Sequence, residues 1–256
     1  MEEICYESNK MGLPIVEDCS QAPFARVKIT EKSKIPDVPE KCYVGTYGVT
    51  SVFSTMYRKN LQTGGSGGVV FTKDPNIYKQ ICLYSDRGKP KYKEGYNGRD
   101  PGDCEFSGQN FNTDEFSCAI GIASLERIND TIKRRLSFMN ILSNLISDLG
   151  DYLNHAEYPP GVSPFLLPII LNEKYIDRKE EIAKMINAEG IDLSPRYDCV
   201  ACQWDIAKKL NVKVIGNENV NKMKAQSFNL FLNENYTEIE ARDIYTAFKK
   251  VFENIG

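Results

Sequence analysis

The chain has 256 residues, 41% of them hydrophobic and 26% charged, with a net charge of −3 and a single histidine, His155. At about 150 residues per domain this predicts one large domain, or a domain with a smaller lobe, that can bury a core without disulfide staples. The acidic balance, with a pI near 5.5, argues against nucleic-acid and anionic-membrane partners, and the lone histidine excludes His-rich metal sites and disfavours Ser–His–Asp chemistry.

Met1-Glu2-Glu3 is acidic where a secretory leader is basic, so the eight cysteines are expected to be reduced thiols in the cytoplasm. Glu2 to Lys10 predicts a short helix stopped at Met11-Gly12, and Leu13 to Asp18 a short buried strand ending in a carboxylate. Val27 to Cys42 is polar and Lys/Pro-rich, a surface excursion. Val49 to Ser54 and Val69 to Thr72 are strand-like, separated by a stretch that ends in Gly64-Gly65-Ser66-Gly67-Gly68. Asp74 to Leu83 predicts a helix with Pro75 in its first turn. Ser85 to Gln109 has no apolar period, and a loop of that length is usually functional or disordered.

A long helix follows, with Asn112 and Glu115 as its cap and apolar residues at Leu125, Ile128, Ile132, Leu136, Met139, Leu142, Ile146 and Leu149. Phe165 to Leu171 is the longest apolar run, interrupted by Pro168 and too short to span a bilayer; it predicts a strand. Asp177 and Glu180 are expected to cap a helix that Gly190 stops. Phe228, Leu230 and Leu232 alternate as a half-buried strand, and Thr237-x-x-Glu240 opens a final amphipathic helix. The expected boundary falls along the long helix, giving domains at 1–135 and 136–256, the second a small α+β lobe.

Three groups of residues can carry chemistry. Glu17-Asp18-Cys19-Ser20-Gln21-Ala22 places acids and an amide at the carboxyl end of a strand, where ligands bind in open α/β sheets, although a strand-end Asp also caps turns. Lys59, five residues after Ser54, is either an amine nucleophile with its charge disfavoured or a solvated loop lysine. The glycines after it form either a phosphate nest or a plain tight loop, and no Gly-Lys-Ser/Thr makes them a Walker loop. Asn110 ends a loop that begins with Arg87, Lys89, Lys91 and Lys93, cations that either face solvent or meet a phosphorylated substrate.

Ile15-Val16-Glu17-Asp18-Cys19-Ser20-Gln21-Ala22, Val44-Gly45-Thr46-Tyr47-Gly48, Val52-Phe53-Ser54, Lys59, Gly64 to Val70, Asn110-Phe111, Ala119-Ile120-Gly121 to Leu125 and Arg134-Arg135 together resemble the DegT/DnrJ/EryC1/StrS family. The resemblance implies a fold type I pyridoxal-phosphate enzyme: an α/β large domain with a mostly parallel sheet flanked by helices, followed by the small lobe. It implies that Lys59 holds pyridoxal 5'-phosphate covalently and shuttles the α-proton, while Asp18 keeps the pyridinium nitrogen protonated so that the ring is an electron sink. Gln21 would lie against the ring, Ser54 would bind the cofactor phosphate, and Asn110 would reach the phosphate of a neighbouring subunit, which implies a homodimer. The reaction implied is transfer of an amino group from glutamate or glutamine to a keto-sugar, nucleotide-linked, or to a related cyclic ketone.

Two positions depart from the family pattern: Ser66 stands where an acid is usual, and Asn112 where an arginine commonly follows the Asn-aromatic pair. Some members are keto-sugar dehydratases in which the lysine is replaced, so Lys59 points to amino transfer. A substantial segment precedes the Glu17-Asp18 strand in this family. The chain is therefore expected to be a fragment, or one part of an enzyme whose other part is a separate polypeptide, with a sheet edge and an apolar face uncovered. The alternative function is a non-catalytic or partner-requiring subunit of the same fold. Cys199-Val200-Ala201-Cys202 lacks a second ligand pair for zinc and is expected to be two incidental thiols. Cys19 and Cys118 are expected to be core fillers, Trp204 to pack the small lobe rather than line a substrate entrance, and His155 to lie at the surface.

Overall fold

The computed structural model describes residues 1–28, 41–194 and 200–255. They fall into two compact units, Met1–Asp130 with Pro159–Ser163, and Thr131–Tyr158 with Pro164–Gly256.

Unit 1 opens with α1 (Glu2–Met11), stopped as expected by Gly12 in the left-handed conformation. β1 (Val16–Asp18) pairs in parallel with β4 (Thr50–Ser54), and β4 pairs antiparallel with β5 (Gly68–Thr72), so this three-stranded sheet is mixed in the order β1-β4-β5. The stretch after β4 folds back on itself, with Thr55 N–H donating to the Gly67 carbonyl, and so returns β5 as an antiparallel partner. β2 (Arg26–Lys28) and β3 (Lys41–Tyr43) form a separate antiparallel pair, and the rest of the expected excursion, 29–40, lies outside the described residues. α2 (Pro75–Ser85) starts where Pro75 predicts, with the Asp74 side chain accepting from the Asn76 and Ile77 N–H groups.

β1 differs from expectation. It begins three residues later, Val16 is exposed, and the buried member is the acid, Glu17. A buried carboxylate must find donors, and Glu17 finds three: Oε2 accepts from the Gly45 N–H at 2.7 Å, and Oε1 from those of Tyr47 and Gly48 at 2.7 Å each. The Val44-Gly45-Thr46-Tyr47-Gly48 stretch is thus a backbone cradle around one side chain. Gly45 has φ +88°, with the Phe53 ring where a Cβ would stand, and a Cβ on Gly48 would come within 2.4 Å of the Ile15 carbonyl.

α3 (Glu115–Ile146) runs through the division between the units. Its cap is Asp114, whose carboxylate accepts from the Ser117 N–H at 2.8 Å. Asn112, the expected cap, instead donates to Asp86. Of the apolar series, Ile128, Met139, Leu142, Ile146 and Leu149 are buried, but Leu125 is exposed, and Phe138 is a buried member outside that series.

In unit 2, β6 (Leu153–His155), β7 (Leu166–Leu171), β8 (Leu193–Ser194) and β9 (Ser227–Phe231) form an antiparallel sheet in the order β6-β7-β9-β8. Pro168 is tolerated inside β7 because its carbonyl faces the chain just past the end of β6, accepting from Ala156 N–H, so the missing donor falls where that ladder ends. α4 (Lys179–Ala188) follows a 3-10 turn over Glu173–Arg178. Asp177 lies inside that turn rather than capping α4. α5 (Asp205–Lys209) and α6 (Glu218–Gln226) precede β9, and α7 (Glu238–Glu253) carries the expected Thr237–Glu240 capping box. Leu167, Ile169 and Leu171 of β7, Ile182 and Ile186 of α4, and Phe228, Phe248 and Phe252 fill one continuous core.

Unit 1 has no comparable closure around β5. Val69, Val70 and Phe71 point alternately to the two faces, yet are 50%, 48% and 40% exposed. Phe116 and Ile122, in the first turns of α3, are exposed as well. No helix among the described residues is long and apolar enough to cross a membrane.

Replacing Glu17 by Gln puts an amide donor against backbone donors. The expected loss is about 2 kcal/mol in the stability of unit 1. Urea unfolding followed by circular dichroism should show this, while fluorescence of Trp204, the single tryptophan and a unit 2 residue, keeps its midpoint. An unchanged unit 1 midpoint would refute the cradle.

Candidate functional site

Asp18 is paired with Val52, and Ser54 follows Val52 by two residues, so Asp18 and Ser54 lie on one face of the sheet at the carboxyl ends of adjacent parallel strands. Glu17, Ser51 and Phe53 lie on the other face. The Cys19 N–H extends the pairing by donating to Val52 carbonyl at 2.9 Å. The register that buries Glu17 therefore turns Asp18 toward the site face.

Asp18 Oδ1 accepts both the Ser20 hydroxyl and, at 3.0 Å, the Ser20 N–H. These bonds from Ser20, with the positive charge of Lys59 nearby, hold the Asp18 carboxyl below its ordinary range. Burial holds Lys59 below the usual lysine value as well, here disfavouring the charge, and the attraction of Asp18 only partly offsets this. The two sequence-predicted residues thus act directly on each other's charge. Burial beside both acids pushes the Cys19 thiol up to about 11, so this core residue is an inert thiol.

Lys59 sits on a turn fixed at several points. Its N–H donates to the Met56 carbonyl at 2.8 Å, and the Ser54 hydroxyl accepts from Met56 N–H at 3.4 Å. Thr55 and Tyr57 donate their N–H groups to the carbonyls of Gly67 and Gly65, so the glycine cluster is bonded back onto the lysine segment. Gly67 is required there: a Cβ would stand 2.6 Å from Thr55 Oγ1 and 2.8 Å from Thr63 Oγ1. The next residue, Asn60, is buried and donates to Ser163 Oγ at 2.9 Å, which anchors the turn to the 159–163 strap of the same unit. Sequence reasoning missed Asn60 and Ser163, because a contact across 103 residues leaves no local pattern.

Gln21 is exposed in the turn after Asp18, and Asn110 belongs to a separate cluster at the base of the 86–112 loop. There Asp86 and Asn110 form an antiparallel bridge, and Asn110 Oδ1 accepts from Asn112 N–H at 3.4 Å. The side chain of Asp86 is only 3% exposed. Its burial opposes a charge, yet bonds from Lys91, Arg87 and Asn112 hold its carboxyl well below the usual carboxylate range. The loop cations are largely engaged inside the loop: Arg87 and Lys91 on Asp86, Lys93 on Glu105 at 2.6 Å, and Lys89 on the Gly98 carbonyl.

Other expectations change. Cys118 is exposed rather than a core filler, and Trp204 is half exposed. His155 lies in β6, partly buried, with Nδ1 against the Ala156 carbonyl. Cys199 lies outside the described residues, so the Cys199/Cys202 pair has no structural account. Among the described residues no group of three His, Cys, Asp or Glu side chains is placed to hold a metal.

The fold is that of the type I pyridoxal-phosphate aminotransferases. PseC of Helicobacter pylori, described as an aminotransferase involved in the biosynthesis of pseudoaminic acid, superposes with a TM-score of 0.82 at 21% identity, over 98% of this chain and 63% of its own. An E. coli GDP-4-keto-6-deoxy-D-mannose-3-dehydratase with bound hydrated PLP gives 0.74 at 18% identity, over 96% and 63%. In sequence, the GDP-perosamine synthase of Escherichia coli O157:H7 is 28% identical over 197 residues, 77% of this chain and 48% of that protein. The family model for the DegT/DnrJ/EryC1/StrS aminotransferase family matches residues 1–249, and the chain belongs to that family. It spans about half the length of the curated relatives it matches.

An NMR titration of lysine side-chain resonances should place Lys59 below 10.5, its ordinary value. Asp18→Asn should move it lower still, since the Asp18 charge is what favours the protonated amine. A midpoint at or above 10.5, or an upward shift in Asp18→Asn, would contradict the pairing.

Proposed function

We propose that this chain serves a pyridoxal-phosphate-dependent aminotransferase that moves an amino group from glutamate or glutamine to a nucleotide-linked keto-sugar. The observation that carries the reading is the Asp18–Lys59 pair: a carboxylate held ionised on the site face of a parallel strand pair, and near it an amine whose charge is disfavoured. This donor set fits pyridoxal phosphate, which offers an aldehyde to an amine, a pyridine nitrogen to a carboxylate and a phosphate to hydroxyl and amide groups. When bound, the cofactor supplies an electron sink.

In this reading Lys59 provides the neutral amine that attaches the cofactor and then moves the α-proton. Asp18, steadied by Ser20, keeps the pyridine nitrogen protonated. Ser54 donates its hydroxyl to the phosphate, Gln21 lies against the ring, and Asn110 reaches the phosphate bound in a second copy of the chain, so the working form is a homodimer in the cytoplasm. Family membership and the GDP-sugar named for the perosamine synthase support a nucleotide-linked acceptor.

A second reading, favoured by the exposed faces of β5, makes the chain a subunit that needs another polypeptide to cover unit 1 before it takes up cofactor.

Purified protein mixed with pyridoxal phosphate should develop a visible absorption band, and borohydride should fix the pyridoxyl group on Lys59, located by peptide mass mapping. Lys59→Ala should show neither. A band that survives in Lys59→Ala would overturn the catalytic assignment. Cofactor uptake that appears only when a second polypeptide is supplied would select the second reading.

A further inference from the structure

The 86–112 loop is closed at its base by main-chain bonds. Arg87 N–H donates to Gln109 carbonyl at 2.7 Å, Phe111 N–H to Ser85 carbonyl at 2.8 Å, and Glu105 N–H to Gly88 carbonyl at 2.8 Å. The turn is tight enough that Arg87 takes a positive φ of 56°, while Gly88, at φ +73°, leaves no room for a Cβ against the Phe106 carbonyl. Four bonds converge on one buried carboxylate inside this base. Asp86 Oδ1 accepts from Arg87 Nη2 at 2.7 Å, Arg87 Nε at 2.8 Å and Asn112 Nδ2 at 2.9 Å, and Oδ2 accepts from Lys91 Nζ at 2.6 Å.

These partners come from both sides of the loop. Arg87 and Lys91 belong to the outgoing strand of the loop and Asn112 to the returning one. Asn110 lies between, bridged to Asp86 by main chain and tied to Asn112 through its own Oδ1. Asn110 is itself exposed, as is the next residue, Phe111, so the base presents both outward rather than into a core.

We propose that Asp86 is the positioning residue for Asn110, its carboxylate latching the two ends of the loop so that the Asn110 amide is held ready for the cofactor phosphate. Asn112 takes part in the latch, which gives a role to the amide at the position where the family pattern has an arginine. The inference rests on the proposed role of Asn110 and adds the element that sets its geometry. An unlatched loop leaves Asn110 on a tether of some two dozen residues, and the cost of ordering it is then drawn from cofactor binding.

The test uses the full chain and two readouts. Hydrogen exchange should quicken at the Arg87 and Phe111 amides in Asp86→Asn, by about tenfold or more, with α7 amides unchanged as a check on folding. Pyridoxal-phosphate titration by absorbance should show affinity about tenfold weaker in Asp86→Asn. Asn110→Ala should weaken it similarly, and the double variant no further, because the two act in one chain of effect. Lys91→Met, an exposed change that cannot unfold the chain, should move both readouts the same way by a smaller factor, and Lys91→Arg should restore them. Unchanged exchange at Arg87 and Phe111 overturns the latch. An Asp86→Asn loss that persists undiminished in the Asn110→Ala background overturns its action through Asn110. Wild-type protein that takes up no cofactor overturns the proposed function and the Asn110 role with it, and the exchange data still decide the latch.

Discussion

The buried carboxylate of Glu17, with three backbone N–H groups on its two oxygens, is the constraint from which the site in unit 1 follows. A charge sealed behind a strand is tolerated only when its lone pairs are occupied, so the 45–48 loop has to wrap around it. That wrapping fixes which way β1 faces. Because side chains alternate along a strand, a buried Glu17 sends Asp18 to the opposite side, level with Val52 and on the same face as Ser54. A one-residue slip would bury Asp18 and expose Glu17, and the carboxylate to which we assign the cofactor's ring nitrogen would face the wrong side.

The same face shows how two oppositely charged groups can each be shifted down. Asp18 is favoured as an anion by the hydroxyl and N–H of Ser20 and by Lys59. Lys59 is disfavoured as a cation by burial, and Asp18 only moderates that. For Lys59 desolvation by burial outweighs the Coulomb attraction of Asp18, and its turn is held in place by Thr55, Gly65, Gly67 and the Asn60–Ser163 bond. An amine poised in this way is closer to its neutral, nucleophilic form than a surface lysine is.

The two units differ in closure. Unit 2 packs a four-stranded sheet and helices around one apolar core, whereas β5 of unit 1 leaves aliphatic and aromatic side chains open on both faces. Strands covered on both faces are the rule in sheets flanked by helices, and β5 departs from it.

Much of this was legible in the sequence where the signal is local. Gly12 after α1, Pro75 at the start of α2, the Thr237–Glu240 box and the alternation of β9 all act through neighbours a few residues away, and the order of the motifs carries the family. The local caps at Asn112 and Asp177 failed because a tertiary partner claimed one residue and a 3-10 turn absorbed the other. Pattern alone likewise gave no warning that the buried residue of β1 is its acid, that Asn60 is anchored 103 residues away, or that the loop cations converge on Asp86. The sequence by itself determined the elements, the family and the residue types of the site. Only the tertiary structure decided which carboxylate is buried and which faces the lysine, since a carboxylate's role depends on the donors and charges that distant segments bring to it.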